Sequence, residues 1–365
     1  MLKFLKRLPG RLLRITAVVG VIGMILAAIS TLISPVDVSF LAFFGLSYLA
    51  WLIIALIGLL YSIFRKHWFF VILVVITFIG TWSLVSRTFQ RRSASDDIVA
   101  PKEGNALNVM SYNVRLFDLY NWTEGSKTRD KIFEFLKSHP ADVLCFQEFY
   151  HTDRKGVFET RDTLIQFLEN KHYHEKYTHE MNGQQYFGVV TFSKYPIVDR
   201  GEMPFASDVN NFCIYTDILV GSDTIRVYNA HMASVRFQKE DYKALEDGPN
   251  KDDAVRLADR LRTAFVKRAS QSEKIKSHVA SSPHPVVMCG DFNDTPVSYT
   301  YNELSENLND AFVDHGSGLG STYIGAIPGF RIDYILYGDQ LRVDWFHTHQ
   351  VKHSDHRPIQ ARFQW

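Results

Sequence analysis

The sequence predicts an α+β fold in which two β-sheets pack face to face with helices outside, preceded by three membrane-spanning helices. Three observations carry this reading. The first quarter of the 365-residue chain holds long uncharged apolar runs. The rest alternates short β-type runs with a few amphipathic helical patterns and shows no repeat of about 20–50 residues. Short polar clusters recur where the β-type runs end, the usual address for chemistry on a rigid scaffold.

Residues 15–33, 40–64 and 68–85 contain no charged residue, and each run is about long enough to cross the ~30 Å hydrocarbon core as a helix. A cleaved signal peptide accounts for the first run but not for the two behind it. The domain organisation expected is therefore a membrane anchor over residues 1–89, a polar linker over 90–105 and a catalytic domain over 106–365. Lys3, Lys6, Arg7, Arg11 and Arg14 precede the first run and Arg65 with Lys66 separates the other two, whereas the first turn carries only Asp37. Because basic loops resist translocation, the expected protein is multi-pass in the cell membrane, with a cytoplasmic N-terminus and an extracytoplasmic domain. Arg87, Arg91 and Arg92 pull the other way.

Past Ala106 the patterns predict strands at 107–112, 142–146, 186–192, 213–219, 224–229, 286–289, 332–337, 341–346 and 359–363. Helices are predicted at 127–137, 158–168 and 252–279, and the charge-dense stretch Lys239 to Asp253 reads as a solvated loop. Many strands with interspersed helices favour two packed sheets with helices outside. Cys145, Cys213 and Cys289 lie in apolar runs without CxxC spacing, so they read as small buried hydrophobes rather than zinc ligands.

Charge divides the chain. Ten of the 40 Lys and Arg but three of the 39 Asp and Glu lie in the first 100 residues, which leaves the remainder at about −6. That balance argues against a tight, sequence-independent grip on nucleic acid, which relies on a basic footprint.

The polar clusters are Ser111-Tyr-Asn113, Gln147-Glu148, Asn229-Ala-His231, Asp291-Phe-Asn293, Arg331-Ile-Asp333 and Ser354-Asp355-His356. Hydrolysis of a phosphoester requires neutralising its charge, activating a water and handling the leaving oxygen. Mg²⁺ does the first job and takes one or two carboxylates; Glu148 is the best candidate ligand and Asp291 offers a further hard oxygen, with Mn²⁺ as the alternative ion. His356 is the proton-handling group, and Asp333 is a natural partner to fix its tautomer. His231 can donate to a phosphate oxygen or protonate the leaving group. No acid is assigned to it, Glu180 being the one candidate.

Taken in order, these clusters resemble the endonuclease/exonuclease/phosphatase superfamily, which includes DNase I-like nucleases, abasic-site endonucleases, inositol polyphosphate phosphatases and neutral sphingomyelinases. The resemblance covers nearly all of residues 106–365 and implies a four-layer αββα sandwich. It implies Asn113 and Glu148 as the amide and metal-binding acid of the first two strands, and His231 as the histidine of Asn-x-His. Asp291 and Asn293 are implied as the pair contacting the attacked phosphate and water, Asp333 as the acid orienting His356, and Asp355 as a second metal-associated acid. Asn-Ala-His231 is unlike the abasic-site branch. The expected function is thus a membrane-anchored phosphodiesterase or nuclease, with a lipid head-group phosphodiesterase or phosphatase as alternative; an inactive module binding a phosphorylated ligand is the rival from another class. The expected partners are the phosphoester, whether nucleic acid or lipid head group, and the bilayer; the sequence names no protein partner.

Overall fold

The computed structural model describes residues 10–92, 105–122, 127–156, 158–168, 171–205, 208–325 and 328–365. The expected linker over 90–105 lies almost wholly outside these residues. An N-terminal helical module contains α1 (Gly10–Ser30), a 3₁₀ turn (Ser39–Leu41), α2 (Ala42–Leu46), α3 (Tyr48–Phe64), α4 (Trp68–Gly80) and α5 (Trp82–Thr88). The domain that follows contains β1 (Ala106–Asn113), α6 (Thr128–Ser138), β2 (Val143–Thr152), α7 (Thr160–Phe167), β3 (His172–Met181), β4 (Gln185–Ser193), β5 (Ile197–Phe205), β6 (Asp208–Val220) and β7 (Asp223–His231). It continues with α8 (Lys239–Asp247), α9 (Lys251–Ala280), β8 (Val286–Asp291), α10 (Tyr299–Leu304), β9 (Asn309–Asp310), α11 (Ala311–His315), β10 (Asp333–Tyr337), β11 (Arg342–Thr348) and β12 (Ile359–Gln364).

The strands form two six-stranded sheets, ordered β11-β12-β1-β2-β4-β3 and β5-β6-β7-β8-β10-β9. Period-two alternation builds the layers. In β1 and β2, Val109, Val143 and Cys145 face the other sheet and meet Val227, Val287, Cys289 and Ile335. Their neighbours Met110, Leu144 and Phe146 turn outward onto Ile132, Phe135 and Leu136 of α6. On the far side Tyr228 and Met288 turn outward onto Ile275 of α9 and Tyr301 of α10. The result is helix, sheet, sheet, helix, as expected. All three cysteines are free and buried.

Strands β3, β5 and β9 and helices α8, α10 and α11 are absent from the sequence reading. β3 and β5 each form one edge of a sheet and are largely polar, so they lack the apolar run that marks a buried strand. The stretch read as a solvated loop, Lys239 to Asp253, is α8 and the first turn of α9. Its charges are what start the helices: Gln238 with Asp241, and Asn250 with Asp253, form reciprocal capping boxes.

Among the described residues no single helix is long and apolar enough to cross a membrane, but two bent pairs reach that length and composition. The second and third expected spans are these pairs: Ser39–Leu46 with Tyr48–Phe64, bent by 60°, and Trp68–Gly80 with Trp82–Thr88, bent by 61°. Each break coincides with a hydroxyl that donates back to the carbonyl four residues earlier, Ser47 Oγ to Phe43 O (2.6 Å) and Thr81 Oγ1 to Thr77 O (2.9 Å), a habit that bends helices. Large apolar side chains stay exposed on the module, among them Ile53, Ile72, Ile76 and Ile79, the last at 67%.

The module docks on the domain through one end. Phe43 meets Phe265 edge-on at 5.3 Å, and Gly45 lies so close to Val297 that a Cβ there would fall 2.2 Å from its carbonyl oxygen. Arg87 donates to Asn302 (3.2 Å), lies over the Tyr301 ring, and offers its carbonyl to Arg331 Nη2 (2.7 Å). Arg87 thus has a structural use at the junction of module and domain.

Candidate active site

Strand register assembles the site. β8 runs parallel to β7 and antiparallel to β10, with Asp291 paired to His231 on one side and to Asp333 on the other. In the facing sheet Asn113 ends β1 beside Gln147 of β2, and the register of β2 shifts between Phe146 and Phe149. That bulge holds Glu148 at φ 48°, a left-handed conformation uncommon for a non-glycine residue, and aims its carboxylate at the opposite sheet. Gly290, at φ 141°, lets β8 pass β7 so closely that a Cβ would lie 1.9 Å from Ala230 O. Only glycine fits opposite Ala230 there, one residue before Asp291.

A buried polar strut ties the sheets beneath the site. Gln147 Nε2 donates to Asn229 Oδ1 (2.7 Å) and Ser111 Oγ (3.2 Å), and Asn229 Nδ2 donates to the carbonyls of Phe146 (3.2 Å) and Val190 (3.1 Å). These members of the polar clusters position the site and do not face its cavity.

Above the strut, Asp291 Oδ2 is the hub. Asn113 Nδ2 donates to it at 3.0 Å and to Glu148 Oε1 at 3.3 Å. His356 Nε2 lies 3.7 Å from the same oxygen and His231 Nε2 lies 3.9 Å from it and 3.8 Å from Glu148 Oε1. The other Asp291 oxygen accepts from the backbone N–H of Asn293 (2.9 Å), whose side chain donates to Met232 O (3.1 Å) at φ 55°. His356 Nδ1 donates to Asp333 Oδ2 (2.9 Å), and Thr322 Oγ1 holds Asp333 by accepting its backbone N–H (3.1 Å). Ser354 Oγ donates to Asn113 O (2.8 Å), tying the Asp355-His356 segment to β1. All eight sequence-predicted residues are thus brought together.

The charges are unevenly distributed. Burial pushes Glu148 up to about 7, helped by the carboxylates of Asp355 and Asp291, although 35% of its side-chain surface still faces the cavity. Burial likewise raises Asp291, against the pull of His356. For His356 burial alone would favour the neutral ring, but Asp333 and Asp291 outweigh it and hold the imidazolium well above the ordinary range. His231 goes the other way, lowered by burial, and its Nε2 is buried without a hydrogen-bond partner.

Four carboxylates around one imidazolium leave excess negative charge, the electrostatics of a cation site. Asp291, Asp333 and His356 bring one donor atom each within 4.8 Å of one another. Asp333 is engaged by His356, however, whereas Glu148 and Asp355 present oxygens to the cavity. The donor set is hard oxygen, which fits Mg²⁺ or Mn²⁺.

The cavity, about 370 Å³, is lined on this side by Glu148, Asp291, Asn293, Asp355 and His356. A larger groove of about 740 Å³ around His347, His349 and Arg357 contains no carboxylate and cannot hold such an ion.

Arg115 is a site residue that the sequence reading missed. Its Nε lies 3.3 Å from Asp355 Oδ2, its guanidinium stacks on Trp122 at 4.7 Å, and it opens a run of four left-handed residues, Arg115 to Asp118. The Asn-x-Arg spacing after β1 was the available signal. Glu180 is corrected: it is exposed near the end of β3, and the carboxylates within 4 Å of His231 are Glu148 and Asp291.

Residues 110–356 match the Endonuclease/Exonuclease/phosphatase family, and the chain belongs to it. The family's members are phosphoester hydrolases that typically use divalent metals. Residues 10–88 match a domain of unknown function. No curated protein matches the chain. Among solved structures, an endonuclease/exonuclease/phosphatase from Beutenbergia cavernae is 16% identical, with a TM-score of 0.52, over 71% of this chain and 72% of that one. A humanized D. rerio TDP2 is 14% identical, with a TM-score of 0.51, over 71% and 99%. A mannosyl-6-phosphatase from Bacteroides thetaiotaomicron is 16% identical, with a TM-score of 0.50, over 71% and 100%. These likenesses establish the sandwich fold.

Proposed function

We propose that this protein is a membrane-tethered hydrolase of phosphoesters that depends on a divalent ion, Mg²⁺ or alternatively Mn²⁺. The observation that carries the reading is the hub at Asp291 Oδ2, contacted by Asn113 at 3.0 Å and flanked by His356 and His231. Asp291 takes a proton from the attacking water as its oxygen bonds to phosphorus and the ester P–O bond breaks. His356, protonated and oriented by Asp333, donates to a phosphoryl oxygen. Neutral His231, Asn113 and Asn293 add donors for the charge of the pentacovalent state; the departing oxygen takes a proton from solvent water beside His231, and Asp291 returns the proton it accepted to solvent. Glu148 and Asp355 would hold the ion, whose chemistry is to neutralise the phosphoryl charge.

Tethering is supported by the large apolar side chains left exposed along α3 and α4, the kind of surface that marks membrane or partner contact. The contacts from Ser34, Phe43, Gly45 and Arg87 to the domain come from the end of the helices opposite the Arg65–Lys66 turn. A cytoplasmic N-terminus and basic turn, with an extracytoplasmic domain, satisfies both that arrangement and the basic-loop rule.

The test is turnover of bis(4-nitrophenyl) phosphate by the full chain in nanodiscs, before and after chelation. Chelation abolishes turnover and added Mg²⁺ or Mn²⁺ restores it. Because the ion must displace the proton Glu148 holds up to about 7, calorimetric ion affinity rises with pH to about 7 and then levels. Undiminished turnover in exhaustively chelated protein refutes the reading.

A further inference from the structure

The candidate catalytic cavity has a chemically mixed lining. Besides its carboxylates it is lined by Val235, Leu257, Leu261, Phe265 and Phe330 of the domain and by Leu46 of the helical module. Phe265 is 2% and Leu257 8% exposed, so this wall is packed rather than incidental. Leu46 ends α2 just before the bend at Ser47, seated there by Gly45 against Val297 and by Phe43 against Phe265. Beyond it the apolar surface continues onto exposed Leu49 and Ile53 of α3.

The guanidinium groups on this side are already paired. Arg268 donates to Asp294 (3.0 Å) and Ala233 O (2.9 Å), and Arg236 to Asp208 (2.7 Å). Among the described residues that line it no unpaired guanidinium is left for a polyanion, and its aliphatic side chains make no hydrogen bonds to base edges. What they offer is burial of hydrocarbon.

Resting on the hydrolase reading above, we infer that the substrate is an amphiphilic phosphoester of the bilayer, whose hydrocarbon enters between Leu46 and the Leu257–Leu261–Phe265 face of α9. Leu46 is then a specificity-determining residue, and the helical module is one wall of the substrate site as well as a tether. The phosphate reaches Asp291 while its apolar chain remains continuous with the membrane-like surface of α3.

The experiment compares kcat/KM for ethyl and octyl 4-nitrophenyl phosphate, each below its micellar concentration, with the full chain in nanodiscs. The octyl-to-ethyl ratio cancels differences in active fraction, and partitioning into the disc is common to all variants. The unaltered chain favours the octyl ester at least tenfold. The ratio falls at least threefold in Leu46→Ala, and towards one in Leu46→Asp and in Leu261→Asn. A ratio that stays the same in all three variants overturns the inference while leaving the hydrolase reading intact, as does faster turnover of a thymidine oligonucleotide than of the octyl ester. Turnover of neither ester nor oligonucleotide overturns the hydrolase reading and this inference with it.

Discussion

His356 and His231 flank the same carboxylate oxygen, at 3.7 and 3.9 Å, yet their surroundings drive them to opposite charge states. Burial pushes both towards the neutral ring. The difference is one directed contact: His356 Nδ1 reaches Asp333 Oδ2 at 2.9 Å, whereas His231 Nε2 meets no acceptor within hydrogen-bonding distance. In a cavity of this kind burial sets a common background, and a single oriented carboxylate decides which histidine is the cation. Such divergence between neighbouring titratable groups is how acid and base roles are separated within one site.

The substitution that breaks this comparison most completely is Asp291→Ala, since it removes the oxygen both rings face. Turnover should fall by about three to four orders of magnitude, with far-UV circular dichroism unchanged. Asp333→Asn comes next and acts on one ring only. It removes the charge that holds His356 above its ordinary value, so the alkaline limb of the kcat profile moves to lower pH and activity at pH 8 drops by about a hundredfold to a thousandfold. The same ion pair contributes stability fully below the ordinary value of 6.5 and loses it as pH rises through the raised value, a dependence that thermal unfolding of Asp333→Asn should lack.

His231→Gln sharpens the contrast from the other side. Because this ring is already neutral, its loss should reduce kcat by about a hundredfold without moving the His356 limb. Smallest is Gln147→Leu, which leaves Asn229 Oδ1 without its donor and should cost about 1–3 kcal/mol in denaturant titrations, again with no shift in pH profile.

How much of this was legible in the sequence follows from what each residue depends on. Asn113, Glu148, His231, Asp291, Asn293, Asp333, Asp355 and His356 could be read because each sits where an apolar run stops, at or beyond a strand end or, for Glu148, at the bulge inside β2. Once β7, β8 and β10 pair in register, His231 and Asp333 have to flank Asp291. Glu180 was misread because a partner for His231 depends on distance across two sheets, which spacing does not encode. Arg115 was missed because its position depends on a left-handed backbone run without any glycine. The edge strands β3 and β5 escaped detection because edges carry charge instead of a buried pattern. The place of Leu46 in the cavity is a contact between residues some 200 positions apart, and hydropathy reports only that its segment is apolar.

The seat of Arg331 has a practical corollary. This buried guanidinium stands two residues before Asp333 and gives one N–H to Asp310 (2.8 Å) and another to the carbonyl of Arg87 (2.7 Å). Trimming the chain to a water-soluble piece beginning at residue 105 would strip away that acceptor, uncover Val297 and Phe265, and delete Leu46 from the cavity wall. Such a piece would report on bond-breaking chemistry but would misjudge which molecules the intact protein selects, so any survey of candidate substrates belongs with the whole chain.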